Sequence, residues 1–420
     1  RTEAAREATR AAEVSAIESG ARAERHERRL HAVIRDRAAL LPVPVLHEGD
    51  HLRSFFMGGF ECASHRRGDR RRLDLTASTG HEAHAAADYR ALARHGIRTV
   101  RDGLRWHLIE TAPGRYDWSS FLPMLRAARE TGTQVIWDLA HYGWPDDLDI
   151  WSPAFTERFG AFARAAADVI RSETDEVPFY VPVNEISFWA WGGGSVAYIN
   201  PFTEGRGDEL KLALARAALA AIDAVRAVDP RAQIVSAEPA IHIGPRSSSP
   251  ADIAAARDYS AAQFQAMDLL LGRERPDLGG APDRVDMVGL NVYIYNQWTD
   301  GELTMALDHP DYRPLRNILA EVHRRYGRPV LLAETGIEGD SRAPWLRVMA
   351  AEVAAAQQAG VPVAGLCLYP VTDYPGWVDD RYCPTGLLGY PDASGARSVY
   401  LPLADELASL HRAMQRRCPG

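Results

Sequence analysis

Two glutamates stand out in this sequence because each follows a short apolar run and has polar or flexible neighbours. Glu185 comes directly after Asn184 in the stretch VPVNEIS, and Glu334 lies in LLAETG, two residues before Gly336. A pair of carboxyl groups on either side of a cavity can cleave a glycosidic bond, because one donates a proton to the leaving oxygen while the other attacks the anomeric carbon. These residues can do that chemistry only if the fold brings them together.

Apolar runs that alternate with helical stretches predict the elements that would position the two glutamates. The eight strand candidates are residues 55–60, 97–102, 133–139, 178–184, 232–238, 285–293, 329–334 and 363–369. The helical stretches are 82–95, 119–131, 154–171, 209–228, 250–272, 313–327, 342–359 and 402–416. Strands that are apolar on both faces and alternate with helices indicate an α/β fold with a parallel sheet, and this unbroken series favours one closed (β/α)₈ TIM barrel. Pro182 lies inside the fourth run, so that strand must be irregular or shorter than the run.

In such a barrel, reactive side chains project from the carboxyl ends of the strands. The polar residues at these positions are Glu61, Arg101, Asp102, Asp138, Glu185, Glu238, Asn291, Glu334 and Asp373. For any single acid the alternative is a helix cap or a contact with loop backbone. Indole rings, on which sugar rings stack, follow the strands at Trp144, Trp189, Trp191, Trp298 and Trp377, and at least half of them are expected to serve packing alone. Several acids among these rings indicate a carbohydrate substrate.

The segments that carry these residues resemble glycoside hydrolase family 1, the β-glucosidase family of retaining (β/α)₈ glycosidases. The similarity extends from about Phe55 to Leu388. It rests on FFMGGFECAS, VRDGLRWHLIE with PGRYDW, WDLAHYGWPDDL, VNEI, VGLNVY, LLAETG and GLCLYPVTDYPGW. Such a resemblance implies hydrolysis of a β-linked glycoside by double displacement, without a metal or an organic cofactor.

The resemblance also implies roles for individual residues. Glu185 would be the acid/base and Glu334 the nucleophile, while Arg101 and Tyr293 would hold Glu334 ionised. The pKa of Glu185 would have to be raised towards neutrality. Substrate-binding residues would be His141, Asn184, Asn291, Tyr369, Asp373 and Trp377, and the loop residues Trp144 and Trp189 are further candidates. A cis peptide bond is expected between Tyr369 and Pro370, because proline lowers its cost.

Several positions depart from the family pattern. Ile186 replaces the proline after the acid/base, and His65 with Arg66 stands where the family has a glutamine that binds the sugar. The eighth-strand glutamate of the family aligns with Gly376, and its platform tryptophan aligns with Tyr369. The loss of two hydrogen-bonding anchors argues that the sugar is not a terminal glucose bound in the usual way. The identity of the sugar stays open.

An arginine-rich stretch follows the first strand. It contains Arg66, Arg67, Arg70, Arg71 and Arg72. The simpler interpretation is that these side chains are solvated or paired with Asp69 and Asp74. The alternative is that Arg70, Arg71 and Arg72 bind an anionic group of the substrate, such as a uronate or a phosphate.

The bulk composition fits a globular enzyme and argues against other classes. Of 420 residues, 46% are apolar and 25% are charged, which allows a large core. A formal net charge of −8 argues against a general nucleic-acid binder. No apolar run approaches the ~18 residues of a membrane span, so no membrane partner is expected. The four cysteines are too few and too scattered for a disulfide scaffold.

The N-terminal part differs from the rest of the chain. Residues 1–50 are rich in Ala, Arg and Glu and predict a charged helical extension or linker, whereas residues 51–420 would form the catalytic barrel. The start of the sequence does not resemble a signal peptide, so a cytoplasmic location is expected. Cys62 and His65 offer two ligands with no second pair, so no metal is expected.

Two alternatives to a hydrolase remain open from the sequence. The first is a non-catalytic barrel that binds carbohydrate or regulates, and the second is a transglycosidase that uses the same two carboxyls. Retention of Asn184, Glu185, Tyr293 and Glu334 together favours an enzyme over a binder. The oligomeric state is left undecided.

Overall fold

Eight parallel strands form a closed barrel at the centre of the computed structural model, which describes residues 22–49, 52–300 and 304–414. The barrel strands are β1 (Phe56–Gly59), β2 (Thr99–Gly103), β3 (Gln134–Asp138), β4 (Phe179–Val181), β5 (Gln233–Pro239), β6 (Met287–Asn291), β7 (Val330–Thr335) and β8 (Val363–Leu368). Each strand pairs with its neighbour in chain order, and β1 closes the ring by pairing with both β2 and β8. The predicted (β/α)₈ barrel is confirmed.

Helices surround the strands. The longer ones are α1 (22–39), α2 (His81–Arg94), α3 (Leu122–Thr131), α4 (Pro153–Glu173), α5 (Gly207–Val228), α6 (Pro250–Ala261), α7 (Gln265–Leu270), α8 (Leu315–Tyr326), α9 (Arg342–Gln358) and α10 (Leu401–Ala413). Short helices and two-stranded hairpins occupy the loops. Along β3, Ile136 points into the barrel while Val135 and Trp137 pack against the helices. This burial of both strand faces explains the continuous apolar runs.

Two elements differ in length from the sequence pattern. β4 has only 3 residues and ends at Val181, so Pro182 lies beyond the strand ladder, where its missing N–H costs nothing. The helical stretch 250–272 is divided into α6 and α7 by a 3₁₀ turn at Ala262–Phe264. The Tyr369–Pro370 peptide bond is cis, as expected, and so is Asn200–Pro201.

The N-terminal helix α1 packs against the barrel. Leu30 and Ile34 are fully buried within the main core. Nδ1 of His31 lies 2.7 Å from Oγ of Ser341, which precedes α9. Among the described helices, none combines the length and apolar character needed to cross a membrane.

Candidate active site

A cavity of about 340 Å³ opens at the carboxyl ends of the strands, where barrel enzymes carry their catalytic groups. The predicted site residues that line it are His141, Glu185, Tyr293, Glu334, Tyr369 and Trp377. Three more, Arg101, Asn184 and Asn291, lie fully buried directly behind this lining. The barrel thus brings nine of the predicted residues together around one space.

Glu334, at the end of β7, is held by a cation and a phenol. Arg101 donates from Nη1 to Oε1 over 2.9 Å, and the Tyr293 hydroxyl donates to Oε2 over 2.8 Å. Burial raises the pKa of the Glu334 carboxyl, and Arg101 is the largest opposing influence. Both donors favour the ionised carboxylate, which is the form that can attack an electrophile.

Glu185, just beyond β4, has a different environment. The Tyr142 hydroxyl donates to its Oε2 over 2.5 Å, and Nδ2 of Asn291 donates to its Oε1 over 2.8 Å. Burial raises the pKa of the Glu185 carboxyl, while these two neutral donors lower it. No guanidinium contacts Glu185 in the described part of the chain, so its proton is retained to higher pH than a solvated glutamate would allow.

Backbone geometry also singles out this part of the site. Glu185 has a φ of 47° and Tyr142 a φ of 66°. Such left-handed conformations are uncommon for residues other than glycine and cluster at functional sites. The Glu185 N–H donates to the Ala237 carbonyl of β5 over 2.8 Å, which anchors the turn that directs the carboxyl into the cavity.

Arg101 on β2 connects three strand ends. Its Nη2 donates to Oδ2 of Asp138 over 2.6 Å and to Oδ1 of Asn184 over 3.0 Å, in addition to the contact with Glu334. Its Nη1 also donates to the Ala333 carbonyl over 3.0 Å. The rigid, planar guanidinium therefore fixes the relative positions of groups from β3, β4 and β7.

Replacement of Arg101 by Met is expected to lower the free energy of unfolding by about 3 to 5 kcal/mol, because Asp138 is left as a buried carboxylate without its cation. Urea unfolding measures this loss. Arg101→Lys should lose less, since the charge stays and only the forked geometry is lost. Arg126→Met, which breaks a half-exposed pair with Glu173, is the control and should cost ~1 kcal/mol or less. Equal losses for the Arg101→Met and Arg126→Met variants would contradict this account.

The orientation of the Asn184 amide determines the tautomer of His141. Because Oδ1 of Asn184 accepts from Arg101, its Nδ2 faces Nε2 of His141 at 3.2 Å and the Tyr142 hydroxyl at 3.0 Å. When His141 is neutral, Nε2 is therefore an acceptor and the proton resides on Nδ1. That N–H donates to Oδ2 of Asp138 over 3.0 Å.

The described residues contain one cluster with the donor types of a metal site, formed by Cys62, Asp138 and His141. Their ligand atoms lie within 4.8 Å of one another. Asp138 is already held by Arg101 through both carboxylate oxygens, and Nδ1 of His141 carries a proton. Burial raises the pKa of the Cys62 thiol to about 11, so it is not a thiolate at neutral pH. This donor set does not fit a cation.

Two aromatic rings from beyond β8 form part of the cavity lining. The ring of Tyr369 lies directly over Gly59 of β1, where a Cβ atom would come within 2.0 Å of its Cδ2. Trp377 packs edge-on against His65, with 4.6 Å between ring centroids. A residue without a side chain at position 59 thus allows Tyr369 to reach the cavity.

Three predicted substrate-binding residues lie outside the cavity lining. Asp373 accepts hydrogen bonds from the Tyr382 hydroxyl and from the Gly386 N–H. Trp144 donates to the Leu148 carbonyl, and Trp189 donates to the Asn200 carbonyl. These contacts stabilise the surrounding loops. A role of these residues in substrate binding stays a prediction.

The three arginines suggested as an anion clamp are also outside this lining. Arg71 pairs with Asp380, and Arg72 pairs with Asp146 at 2.5 Å. The guanidinium of Arg70 lies over the Phe202 ring, 3.8 Å from its centroid. The anion clamp stays a prediction.

Sequence reasoning missed Tyr142, which contacts both Glu185 and Asn184. Its only sequence signal is its place after His141 at the end of the third apolar run. Glu61 was recognised as a strand-end acid but had no assigned role, and it lies in the cavity lining. Both positions depend on the direction in which a loop residue points, which a linear pattern does not contain.

Comparison with known proteins supports the fold. No family model matches the sequence, and no curated protein matches it. The structure resembles a β-glucosidase from Thermotoga maritima in complex with glucoimidazole, with a TM-score of 0.72 and 16% identity over 88% of this chain and 100% of that chain. For the complex of a Thermotoga maritima β-glucosidase with deoxynojirimycin, the TM-score is 0.71 and the sequence identity 16%, over 89% of this chain and 99% of that chain. For the AHE enzyme from Alicyclobacillus herbarius, the TM-score is 0.69 and the sequence identity 16%, over 86% of this chain and 98% of that chain. At this level of identity the likeness establishes the barrel fold.

Proposed function

We propose that this protein is a retaining β-glycosidase, with Glu334 as the nucleophile and Glu185 as the acid/base. The observation that carries the proposal is the unequal environment of two carboxyls that line one cavity. Glu334 receives a guanidinium and Glu185 receives neutral donors alone, among the described residues. Two carboxyl groups with different environments are the arrangement that double displacement at a sugar requires. The β-glucosidases of the same fold add support.

In the first half of the reaction, Glu334 attacks the anomeric carbon while Glu185 donates its proton to the leaving oxygen. The glycosidic bond breaks, and a glycosyl ester forms on Glu334. In the second half, the Glu185 carboxylate removes a proton from water, and the resulting oxygen nucleophile displaces Glu334 from the sugar. Two inversions restore the original anomeric configuration. The Tyr293 hydroxyl and Arg101 stabilise the departing Glu334 carboxylate by the contacts described above.

Labelling with activated 2-fluoro-β-glycosides tests this proposal. A panel of gluco-, galacto-, manno- and xylo-configured reagents should leave one compound covalently attached to Glu334, detected by mass spectrometry of peptides. The Glu334→Gln variant is the control and should not be labelled. An adduct on another residue would refute the assignment of Glu334 as the nucleophile. No adduct with any reagent would favour a non-catalytic binding barrel.

A transglycosidase would use the same intermediate. The two outcomes are separated by adding an alcohol acceptor during turnover and measuring the ratio of transfer product to free sugar. Hydrolysis is expected to dominate at low acceptor concentration, because water is present in large excess. A product that retains the β configuration in its NMR spectrum is expected in either case.

A further inference from the structure

A third carboxyl group, that of Glu61, lines the catalytic cavity and takes no part in the displacement. Glu61 follows β1, and only 5% of its surface is exposed. Its Oε1 accepts from the Ala63 N–H over 3.0 Å and lies 3.9 Å from Nε2 of His141. Burial raises the pKa of this carboxyl. A buried acid of this kind is costly unless it has a polar partner, so its role needs an explanation.

The strand order places Glu61 at one end of the cavity. Around the ring, β1 is two strands from β7, which carries Glu334, and three strands from β4, after which Glu185 lies. A second cavity of about 570 Å³ adjoins the first on the Glu185 side and shares Phe188, Pro239, Tyr295 and Asn296 with it. Since the leaving group must face the acid/base, this second cavity is the side where the leaving group lies.

The sugar that is transferred to Glu334 must therefore extend towards β1 and β8. Glu61 and Tyr369, which follow β1 and β8, line the cavity there. Trp377 lies between His65 and Phe188, with ring centroids 4.6 Å and 6.2 Å away. Trp377 is near enough to the Glu61 carboxyl to lower its pKa. A carboxylate beside aromatic rings offers acceptors at the edge of a surface on which a sugar ring stacks.

Chemistry distinguishes this role from a structural one. The contact with the Ala63 N–H needs one neutral acceptor, which a glutamine amide would supply equally well. The approach to Nε2 of His141 at 3.9 Å is an ion pair when the imidazole is protonated, and it occupies only one carboxylate oxygen, Oε1. A carboxylate has two oxygens and about four lone-pair sites, so it can also accept from two neighbouring hydroxyls. Hydrogen bonds to a charged acceptor are stronger than those to a neutral one.

We propose that Glu61 selects the sugar by accepting hydrogen bonds from a pair of adjacent ring hydroxyls remote from the anomeric carbon. This proposal rests on the proposed function for the position of the transferred sugar. Glu61 is thus a specificity residue that contacts substrate without taking part in bond breaking. An ionised Glu61 carboxylate also repels a negatively charged group on the part of the sugar that lies next to it.

The test compares Glu61→Gln with the wild-type enzyme on 4-nitrophenyl β-glycosides and their monodeoxy derivatives. Glutamine preserves the shape and the acceptor for Ala63. For the preferred intact sugar, kcat/KM should fall about 10- to 100-fold in the variant. When the substrate lacks a hydroxyl that Glu61 contacts, kcat/KM of the wild-type enzyme should fall by a similar factor relative to the intact sugar. For Glu61→Gln, removal of that hydroxyl should lower kcat/KM little further. An equal loss on every derivative would overturn the proposal.

Glu110→Gln is the matched control. Glu110 is also buried, at 4% exposure, and it accepts from the Trp106 indole away from the cavity. This variant should be less stable and yet discriminate between intact and monodeoxy sugars as the wild-type enzyme does. Thermal unfolding of both variants separates a folding defect from a change in specificity.

A binding measurement makes the test independent of turnover. Calorimetry measures binding to the wild-type protein and to Glu61→Gln. The compounds titrated are deoxynojirimycin, its galacto, manno and xylo counterparts, and the monodeoxy forms of each. A loss of affinity in Glu61→Gln that vanishes for one monodeoxy form supports the role of Glu61, even if labelling fails and the proposed hydrolysis is wrong. No binding of any compound to the wild-type protein would overturn the role. If Glu61→Gln loses more affinity for amino-substituted sugars than for sugars with hydroxyls alone, Glu61 recognises an ammonium group. That result would overturn the proposed recognition of hydroxyls.

Discussion

Replacement of Glu334 by Ala is expected to lower kcat by roughly 10⁴- to 10⁶-fold, because the proposed covalent intermediate forms on the Glu334 carboxyl. Arg101 and Tyr293 would then face an empty space where their carboxylate acceptor was. The loss is measured with the chromogenic glycoside that the wild-type enzyme hydrolyses best. Circular dichroism and urea unfolding establish that the variant is folded.

Chemical rescue makes the Glu334 prediction specific. Azide is small enough to occupy the volume of the missing carboxyl and can attack the anomeric carbon from the same face. A β-glycoside should then yield the α-glycosyl azide, because only one inversion occurs. Asp340→Asn, an exposed acid that follows β7 and pairs with Arg35, is the control and should retain activity. Full activity of Glu334→Ala, or rescue with retained configuration, would contradict the assignment.

Replacement of Glu185 by Ala is expected to produce a loss that depends on the leaving group. For a poor leaving group, which needs a proton, kcat/KM should fall about 10²- to 10⁴-fold. For a dinitrophenyl group, which leaves without protonation, the first step should be nearly unaffected and the glycosyl ester should accumulate as a burst. Stopped-flow measurements with both substrates give the comparison.

The pH profile gives an independent reading of the same residue. Burial raises the pKa of Glu185 above the usual glutamate value, and the protonated form is the one that acts in the first step. Wild-type kcat/KM should therefore decline as the pH rises through this raised pKa. It should also decline as the pH falls through the raised pKa of Glu334, which acts as the carboxylate. Glu185→Ala should lose the decline with rising pH, so its profile stays flat on the basic side.

Glu238 is the acid most easily confused with Glu185, since it also lies at the end of a barrel strand and is buried. It accepts from the Ser187 N–H over 3.1 Å, and the cavity lining includes its neighbour Pro239 instead. Glu238→Gln should therefore keep both the leaving-group dependence and the basic limb of the wild-type enzyme. Loss of the basic limb in Glu238→Gln, with its retention in Glu185→Ala, would reverse the two roles.

Burial explains why the difference between the environments of Glu334 and Glu185 matters. In a water-poor cavity, each charge interacts strongly with its nearest partners, and an unpaired charge is costly. Arg101 compensates for Glu334 and Asp138 together, so the site holds a fixed cation where negative charge must be stable. In the part of the chain that the structure describes, Glu185 has hydrogen bonds from neutral donors and no cation. This environment suits the proposed role of Glu185 as both acid and base.

The sequence by itself determined the barrel and the rim on which the acids lie. Buried parallel strands must be apolar on both faces, so their number and order are visible in the apolar runs. Because all eight strands of the barrel run in the same direction, residues that end a strand reach a common face wherever they lie in the chain. Glu185 and Glu334 were paired on that basis together with their polar or flexible neighbours and the family resemblance.

The tertiary structure decided which strand-end residues enter the cavity and what each one contacts. It directs Glu61 and Tyr142 to the site and leaves Asp373, Trp144 and Trp189 in the packing of the loops. It also ends β4 at Val181 and divides the helix that begins at Pro250. These outcomes depend on loop conformations and on hydrogen bonds between residues far apart in the chain. A local pattern of residue types carries no record of such contacts, because they form only when the barrel closes.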